Sequence, residues 1–347
     1  MKSIKELTRS CIYQLKPYSS ARSEFSGRNA SVFLDANENP YNGPVNRYPD
    51  PLQLAIKEKL GSLRKVSPTR IFLGNGSDEA IDLMYRIFCN PGRDNVVAME
   101  PTYGMYRVSA DINDIEYRAV TTDESFQPDI DGMLAAADPN TKLMFFCSPN
   151  NPSGNLIGKE RLLKALDSFD GITIIDEAYI DFAGCESFVS LLDRYPNLVV
   201  LQTFSKAWGL AGIRLGIAYA SEEIIGLMNK VKYPYNVNHL TQQAALEQLG
   251  QADRVADWVR EITAQRGIMA ESLATLPCCL HIYPSDANFL LVCVTDATGI
   301  YRYLTEQGII IRNRSHITLC GDCIRITIGT LQENRILTDA LTSYCKR

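Results

Sequence analysis

The chain has 347 residues, which corresponds to about two domains at roughly 150 residues each. Its 46% hydrophobic and 22% charged residues are typical of a folded globular protein and exclude disorder, collagen and coiled coil. A formal net charge of -5, from 35 basic and 40 acidic residues, removes the usual electrostatic basis for binding nucleic acid or a membrane surface. We therefore expect chemistry on small molecules, with no nucleic-acid partner and no membrane partner.

The sequence also limits where the protein is expected in the cell and which roles its cysteines can have. The N-terminal segment lacks the apolar core of a signal peptide, and no apolar run approaches the roughly 20 residues of a membrane span. We therefore expect a cytoplasmic protein. The ten cysteines do not predict a disulfide scaffold in a chain of this length. Cys320 and Cys323 form a lone C-x-x-C motif without the second pair that a zinc site needs, so neither a redox nor a metal function is expected.

Short apolar runs alternate with amphipathic stretches through the middle of the chain, which is typical of a parallel sheet covered by helices on both faces. The predicted strands are Ile71–Leu73, Val96–Met99, Ile115–Val120, Leu143–Cys147, Ile172–Asp176, Leu198–Gln202 and Gly216–Ala220. The predicted helices between them are Glu79–Phe88, Lys159–Phe169 and Glu222–Lys230. We expect an α/β fold with a large, mainly parallel sheet.

The C-terminal part has a different pattern. A long helical region reaches about Leu276, and a small α+β domain follows it. Its predicted strands are Asn288–Val292, Ile309–Arg312 and Ile324–Ile328, and its predicted helices are Gly299–Gln307 and Glu333–Tyr344. The predicted organisation is an N-terminal arm over residues 1–40, a large domain over residues 41–245 and a small C-terminal domain over residues 246–347.

The first motif with chemical meaning follows the predicted strand Ile71–Leu73. Gly74-Asn75-Gly76-Ser77-Asp78-Glu79 forms a glycine turn that leads into a helix, and a helix start offers free N–H groups and a positive dipole end to a phosphate. The third glycine of a dinucleotide fingerprint is missing, which disfavours a nicotinamide-binding site. Taken alone, the turn also fits a structural role in which Asp78 and Glu79 stabilise the helix start.

The second motif is Asp176-Glu177-Ala178-Tyr179, at the end of the strand Ile172–Asp176. Two carboxylates in this position resemble the magnesium-binding strand of a nucleotide triphosphatase. That interpretation requires a G-x-x-x-x-G-K-[ST] loop, which the chain lacks. An ATPase is therefore disfavoured.

Two further motifs occur at predicted strand ends. Lys206 follows Leu198–Gln202 among small and apolar residues, a setting that desolvates an amine and makes it a usable nucleophile, although a lone lysine is normally a solvated surface group. Arg214 lies eight residues further on. Asn150 and Asn151 follow Leu143–Cys147 and bring amide groups to the same edge of the sheet.

The ordered set of these motifs resembles the class I/II aminotransferases, which have the aspartate-aminotransferase-like fold of pyridoxal-phosphate enzymes (fold type I). Motifs near both ends also resemble the histidinol-phosphate aminotransferases within that family. They are Lys16-Pro17-Tyr18, Asp35-Ala36-Asn37-Glu38-Asn39-Pro40, Arg47-Tyr48-Pro49-Asp50, Lys232-Tyr233-Pro234-Tyr235-Asn236-Val237-Asn238 and Ile324-Arg325-Ile326-Thr327. Phe204 and Trp208 depart from the Leu and Phe that commonly flank the family lysine.

The resemblance implies pyridoxal 5'-phosphate as cofactor and assigns roles to residues around it. Lys206 is implied to bind the cofactor covalently and to carry the substrate proton, and Asp176 to pair with the pyridine nitrogen. The remaining implied contacts are Tyr179 and Asn151 at O3', Tyr103 stacked on the ring, and Gly76, Ser77, Asp78, Ser205 and Arg214 at the phosphate. Tyr48 is implied to reach that phosphate from a second subunit, which implies a homodimer.

The resemblance further implies transfer of the amino group between L-histidinol phosphate and 2-oxoglutarate in histidine biosynthesis. Arg325 is implied to bind the substrate anion, with Arg312, Tyr18 and Asn37 extending the pocket, although Arg312 on its own also fits a solvated surface charge. An aromatic amino-acid aminotransferase, an L-threonine-phosphate decarboxylase and a non-catalytic cofactor-binding module remain as alternatives. No catalytic or metal-binding spacing involves His239, His281 or His316.

Overall fold

The computed structural model describes residues 2–17 and 32–346 of the chain. Its α-helices are α1 Ile4–Leu7, α2 Ser10–Gln14, α3 Leu54–Arg64, α4 Ser77–Phe88, α5 Met105–Ile112, α6 Ile130–Ala135, α7 Lys159–Ser168, α8 Glu222–Val231, α9 His239–Leu249, α10 Ala252–Ala274, α11 Ala297–Glu306 and α12 Leu331–Tyr344. Its strands are β1 Ile71–Asn75, β2 Asn95–Glu100, β3 Glu116–Thr121, β4 Thr141–Cys147, β5 Ile172–Asp176, β6 Leu198–Thr203, β7 Leu215–Tyr219, β8 Cys279–Ile282, β9 Phe289–Val294, β10 Arg312–Asn313 and β11 Cys323–Thr327.

Within residues 2–17 and 32–346, the large sheet has seven strands in the order β1-β7-β6-β5-β4-β2-β3. All neighbouring pairs are parallel except those of β7, which runs antiparallel to both β1 and β6. The predicted large, mainly parallel sheet is confirmed. Because β1, β4, β5 and β6 run in the same direction, their carboxyl ends meet at one edge, which is where such sheets bind ligands.

Side chains of alternate residues enter two separate cores on the faces of this sheet. Within β4, Met144 and Phe146 join one buried apolar cluster, whereas Leu143, Phe145 and Cys147 join the other. A strand covered on both faces has no polar side, so its sequence is a continuous apolar run rather than an alternating one. This explains why the central strands are visible in the sequence.

The N-terminal segment packs against the large domain. Ile4 and Leu7 on α1 are almost fully buried in the apolar cluster that also holds Phe88. The backbone N–H of Arg9 donates to the carbonyl of Ile87 at 3.0 Å. The first residues of the predicted arm therefore belong to the folded core, and the domain boundaries stay a prediction.

The small sheet is antiparallel, with the order β10-β11-β9-β8. Ile324, Ile326, Leu290 and Val292 point from it into a third apolar cluster, which α11 and α12 help to form. The strand predicted at Ile309–Arg312 begins only at Arg312, and the edge strand β8 was not predicted. Cys278 and Cys345 form a disulfide that links this sheet to the end of α12.

Among the described residues, no helix combines the length and the apolar character needed to cross a membrane. The cytoplasmic location stays a prediction.

Candidate active site

A cavity of about 160 Å³ opens at the carboxyl edge of the large sheet. The residues that line it come from the last positions of β4, β5 and β6 and from the segments after β1, β2, β4, β5 and β6: Gly76, Ser77, Asp78, Tyr103, Cys147, Asn151, Asp176, Ala178, Tyr179, Thr203, Ser205, Lys206, Ala211 and Arg214. The structure thus brings ten of the predicted site residues to one cavity, although they are spread over 139 positions of the chain, from Gly76 to Arg214.

The turn after β1 is held in a conformation that only glycine adopts readily. Gly76 has φ 73°, and its N–H donates to the carbonyl of Arg214 at 2.8 Å. A Cβ at Gly76 would lie 2.8 Å from Nη2 of Arg214. Helix α4 begins at Ser77, and Ser77, Asp78 and Arg214 all line the cavity, so the first N–H groups of the helix, which lack partners within it, lie at the same place as an arginine. This arrangement provides a binding site for an anion.

Lys206 lies just after β6, with its Nζ 5.5 Å from the centre of the Tyr179 ring. Burial lowers the pKa of this amine, and the positive charge of Arg325 lowers it further, while Asp176 opposes the shift. A lowered pKa increases the neutral fraction of the amine near neutral pH. Lys206 is therefore suited to act as a nucleophile and as a base.

Asp176 ends β5 and is almost completely buried. Burial raises the pKa of its carboxyl group to about 6, and two hydrogen bonds oppose this rise. The donors are the Tyr106 hydroxyl at 2.7 Å and the Ala178 N–H at 3.0 Å. A desolvated carboxylate held in this way can pair strongly with a cationic ring nitrogen.

The two asparagines after β4 have different positions. Asn150 is fully buried and holds its loop, since its amide group donates to the Pro101 carbonyl at 3.1 Å and to Ser153 Oγ at 2.8 Å. Asn151 lines the cavity, and its Oδ1 accepts a hydrogen bond from Nη1 of Arg325. Sequence alone did not separate these two roles.

Three aromatic and hydroxyl groups complete the cavity wall. The Tyr103 hydroxyl donates to Asp78 Oδ1 at 3.1 Å. Burial raises the pKa values of Tyr103 and Tyr179, so both phenols are protonated at neutral pH. The Ser205 N–H donates to Thr203 Oγ1 at 3.1 Å, which fixes the turn immediately before Lys206.

Arg325 and Arg312 lie directly opposite each other on β11 and β10. The Arg325 guanidinium lies 5.1 Å above the Phe289 ring. Burial lowers the pKa of Arg325 to about 10, and the neighbouring Arg314 and Arg312 add to this effect. Through its bond to Asn151, Arg325 lies beside the cavity, whereas the side chain of Arg312 is exposed.

The remaining predicted residues lie elsewhere. Tyr48 and Asn37 line a second, open pocket of about 490 Å³, and the Tyr48 ring stacks on Tyr235 at 4.5 Å. The structure does not bring either residue to the cavity of the same chain. Tyr18 lies outside the described residues.

Two residues near the site were missed by the sequence analysis. Tyr106 contacts Asp176. The only feature of the sequence that could have indicated this contact is the position of Tyr106 three residues after Tyr103, at the start of a helix. Asn236 supports the turn: its Nδ2 donates to the Leu73 carbonyl at 2.9 Å and to Glu79 Oε1 at 3.1 Å. Asn236 lies in the motif Lys232–Asn238, which carries part of the family resemblance but indicates no contact for this side chain.

The histidines and the C-x-x-C motif stay outside the cavity lining. Cys320 and Cys323 are buried free thiols. His239 lines the second pocket, and the His281 ring contacts Tyr283 edge to face. Within residues 2–17 and 32–346, no group of three or more His, Cys, Asp or Glu side chains is arranged to hold a metal ion.

Comparison with known proteins gives consistent results. A family model described as aminotransferase class I and II matches residues 27–341. The chain is 58% identical to a histidinol-phosphate aminotransferase of Bacteroides fragilis (strain YCH46), over 99% of this chain and 100% of that protein.

Solved structures share the fold. The histidinol-phosphate aminotransferase from Clostridium acetobutylicum superposes with a TM-score of 0.80 at 24% identity, covering 87% of this chain and 91% of that one. The L-threonine-O-3-phosphate decarboxylase from Porphyromonas gingivalis gives a TM-score of 0.75 at 22% identity, covering 87% and 92%. The predicted aspartate-aminotransferase-like fold, fold type I, is confirmed.

Proposed function

We propose a reaction for this chain from one premise: the chain belongs to the aminotransferase class I and II family, whose model spans residues 27–341. The chain transfers the amino group between L-histidinol phosphate and 2-oxoglutarate, giving imidazole-acetol phosphate and L-glutamate, as a step of L-histidine biosynthesis. The observation that carries this proposal is the 58% identity, over 99% of the chain, to a relative named for that activity.

The proposed cofactor is pyridoxal 5'-phosphate, which supplies an electron sink for the carbanion that forms when the substrate loses its Cα proton. The cavity fits this group at both ends. The glycine turn, the start of α4 and Arg214 form an anion site where a Cβ would intrude, and the buried carboxylate of Asp176 lies at the end of β5, on the same edge of the sheet. Lys206 lines the same cavity.

Each of the ten predicted site residues that line the cavity has a proposed role. Lys206 would hold the cofactor through its amine, and its Nζ would move the proton to and from the substrate Cα. Asp176 keeps the pyridine nitrogen protonated. Tyr179 and Asn151 hold O3', and Tyr103 stacks on the ring. Gly76, Ser77, Asp78, Ser205 and Arg214 orient the phosphate.

Arg325 is the proposed anchor of the substrate anion. A guanidinium binds a planar carboxylate with two parallel hydrogen bonds, and it also binds a phosphate. Histidinol phosphate carries a phosphate-bearing methylene group where an amino acid carries its carboxylate, so Arg325 meets a different anion in each half-reaction. Arg312 and Tyr18 enlarge this pocket, and Asn37 is proposed to contact substrate as well.

The proposed functional unit is a homodimer with shared active sites. Tyr48 lines a pocket separate from the Lys206 cavity, which supports a contribution to the site of a second copy. The segment that carries Tyr48 has many exposed apolar side chains, as expected of a surface that another chain covers. These are Val32, Leu34, Tyr41, Val45, Leu52 and Leu54.

The test combines a spectrum with a comparison of substrates. The purified protein is expected to show the visible absorbance of a lysine-bound cofactor and to use histidinol phosphate faster than phenylalanine or threonine phosphate. Faster turnover of phenylalanine or threonine phosphate would replace the specific assignment with an aromatic aminotransferase or a decarboxylase, neither of which the relatives favour.

The Lys206→Ala variant tests whether the chain is a catalyst at all. Loss of the covalently bound cofactor and of turnover is expected, because the variant has no amine at the end of β6. Retained turnover would refute the role of Lys206. A wild-type protein that binds the cofactor without any turnover would instead point to a non-catalytic binding module.

A further inference from the structure

Three arginines share one face of the small sheet. Arg312 on β10 pairs with Arg325 on β11, and Arg314 continues the same ladder because its N–H donates to the Cys323 carbonyl at 2.8 Å. Side chains alternate between the faces of a strand, so Arg312 and Arg314 lie on the same face as Arg325. The opposite face carries Ile324 and Ile326, which belong to the apolar core.

Arg314 has the features of a cation without a partner. Its side chain is half-buried, and its buried Nε has no hydrogen-bond partner. Among the described residues, no carboxylate lies within 4.0 Å of the guanidinium groups of Arg312, Arg314 and Arg325, whereas Arg47, Arg64 and Arg118 all have such partners. Burial lowers the pKa of Arg314 and the charge of Arg312 lowers it further, while Cys320 and Tyr179 oppose the shift.

This arrangement is unfavourable for the folded protein alone. Like charges opposite each other on antiparallel strands are destabilising, and a buried donor without a partner adds a desolvation cost. Both costs are relieved when an anion enters between the guanidinium groups. The cluster lies beside the cavity. Arg325 contacts Asn151, which lines the cavity, and the charge of Arg314 opposes the rise that burial causes in the pKa of Tyr179, which also lines it.

We propose that Arg314 is a third arginine of the substrate pocket, that it binds the doubly charged phosphate of the substrate, and that it favours this dianion over a carboxylate. The inference rests on the proposed function and adds a specificity-determining residue to it. A carboxylate carries one charge, which Arg325 alone can neutralise. A phosphate carries nearly two negative charges at neutral pH and has three acceptor oxygens, so it can bind a further guanidinium group.

The test uses the holoenzyme and measures the two half-reactions separately. In Arg314→Gln, KM for histidinol phosphate is expected to rise by at least about tenfold, the loss typical of one hydrogen bond to a charged group. KM for glutamate and both kcat values are expected to stay near wild type. Arg314→Lys keeps the charge and should restore part of the affinity for histidinol phosphate. Arg302→Gln, at an exposed position on α11, is the matched control.

The dependence on pH provides a second readout. The difference in KM between wild type and Arg314→Gln should shrink as the pH falls through the second ionisation of the phosphate at about 6. Inhibition by inorganic phosphate should weaken in Arg314→Gln and be unchanged in Arg302→Gln. An equal change in KM for histidinol phosphate and glutamate, or none in either, would overturn the role of Arg314. Absence of histidinol phosphate turnover in wild type would instead overturn the proposed function.

Discussion

The hydrogen bond from Tyr106 to Asp176 gives a quantitative prediction for Tyr106→Phe. The substitution removes only the hydroxyl that donates to Asp176 Oδ2 at 2.7 Å, in a fully buried setting. A hydrogen bond to a charged group contributes about 1.5–3 kcal/mol, and one pKa unit corresponds to about 1.4 kcal/mol. Loss of a donor destabilises the ionised form, so the pKa of Asp176 should rise by about one to two units above its value of about 6.

This rise has a consequence for cofactor affinity. At neutral pH more of Asp176 would be protonated, and a neutral carboxyl group cannot hold a cationic ring nitrogen. The dissociation constant of pyridoxal phosphate, measured by titration of the cofactor-free protein over a pH series, should therefore increase in Tyr106→Phe. The increase should be largest below about pH 6, where the raised pKa leaves a much smaller ionised fraction of Asp176 than in wild type, and should disappear at a pH well above the new pKa, where Asp176 is again ionised.

A matched control is available in the same core. Tyr85 is also fully buried, but its hydroxyl donates to the backbone carbonyl of Tyr106 at 2.7 Å rather than to a carboxylate. Tyr85→Phe should lower the free energy of unfolding without moving the pH dependence of cofactor binding. Equal pH profiles for wild type and Tyr106→Phe would refute the reasoning, as would the same shift in Tyr85→Phe.

Two further predictions concern other walls of the cavity. Arg325→Met should raise the pKa of Lys206, because burial and then the charge of Arg325 hold this pKa low. Covalent attachment of the cofactor needs the neutral amine, so it should require a higher pH in the variant. The attachment can be measured by the visible absorbance of the lysine-bound cofactor. The same variant should impair both half-reactions, and a defect confined to glutamate would contradict a shared anion site. Gly76→Ala should cost about 1–3 kcal/mol in backbone strain, since Gly76 has φ 73° and ψ 169°, and should also weaken cofactor binding, because its Cβ would meet Arg214. Gly184→Ala is the control, since its φ is 65° and nothing lies within 4 Å of the added Cβ.

The central strands were predictable because burial on both faces leaves a continuous apolar run in the sequence, whereas the roles of the cavity residues were implied by the family resemblance. The strand Ile172–Asp176 was predicted with its observed bounds, and Lys206 and Asp176 could be placed at strand ends. Strand β8 was missed because it is an edge strand whose side chains are only partly buried, so it has no continuous apolar run. The two-residue strand β10 is too short for any periodic pattern.

Other parts of the site depend on contacts between residues far apart in the chain. Tyr106 contacts an aspartate 70 positions away, and Asn236 contacts Leu73 163 positions away. No local pattern encodes such pairs. The role predicted for Tyr48 involves a second chain, so it stays a prediction.

The order of strands in the large sheet also bears on biosynthesis. Within the described residues, β1 has one neighbour in its sheet, the antiparallel strand β7, and residues 76–214 separate the two strands. The carbonyl that fixes Gly76 belongs to Arg214, immediately before β7. Because the ribosome makes the chain from its N-terminus, the glycine turn emerges long before the strand that holds it. The glycine turn therefore reaches its final position only after Tyr219 has left the ribosome, so binding of the proposed cofactor is expected to follow synthesis of most of the large domain.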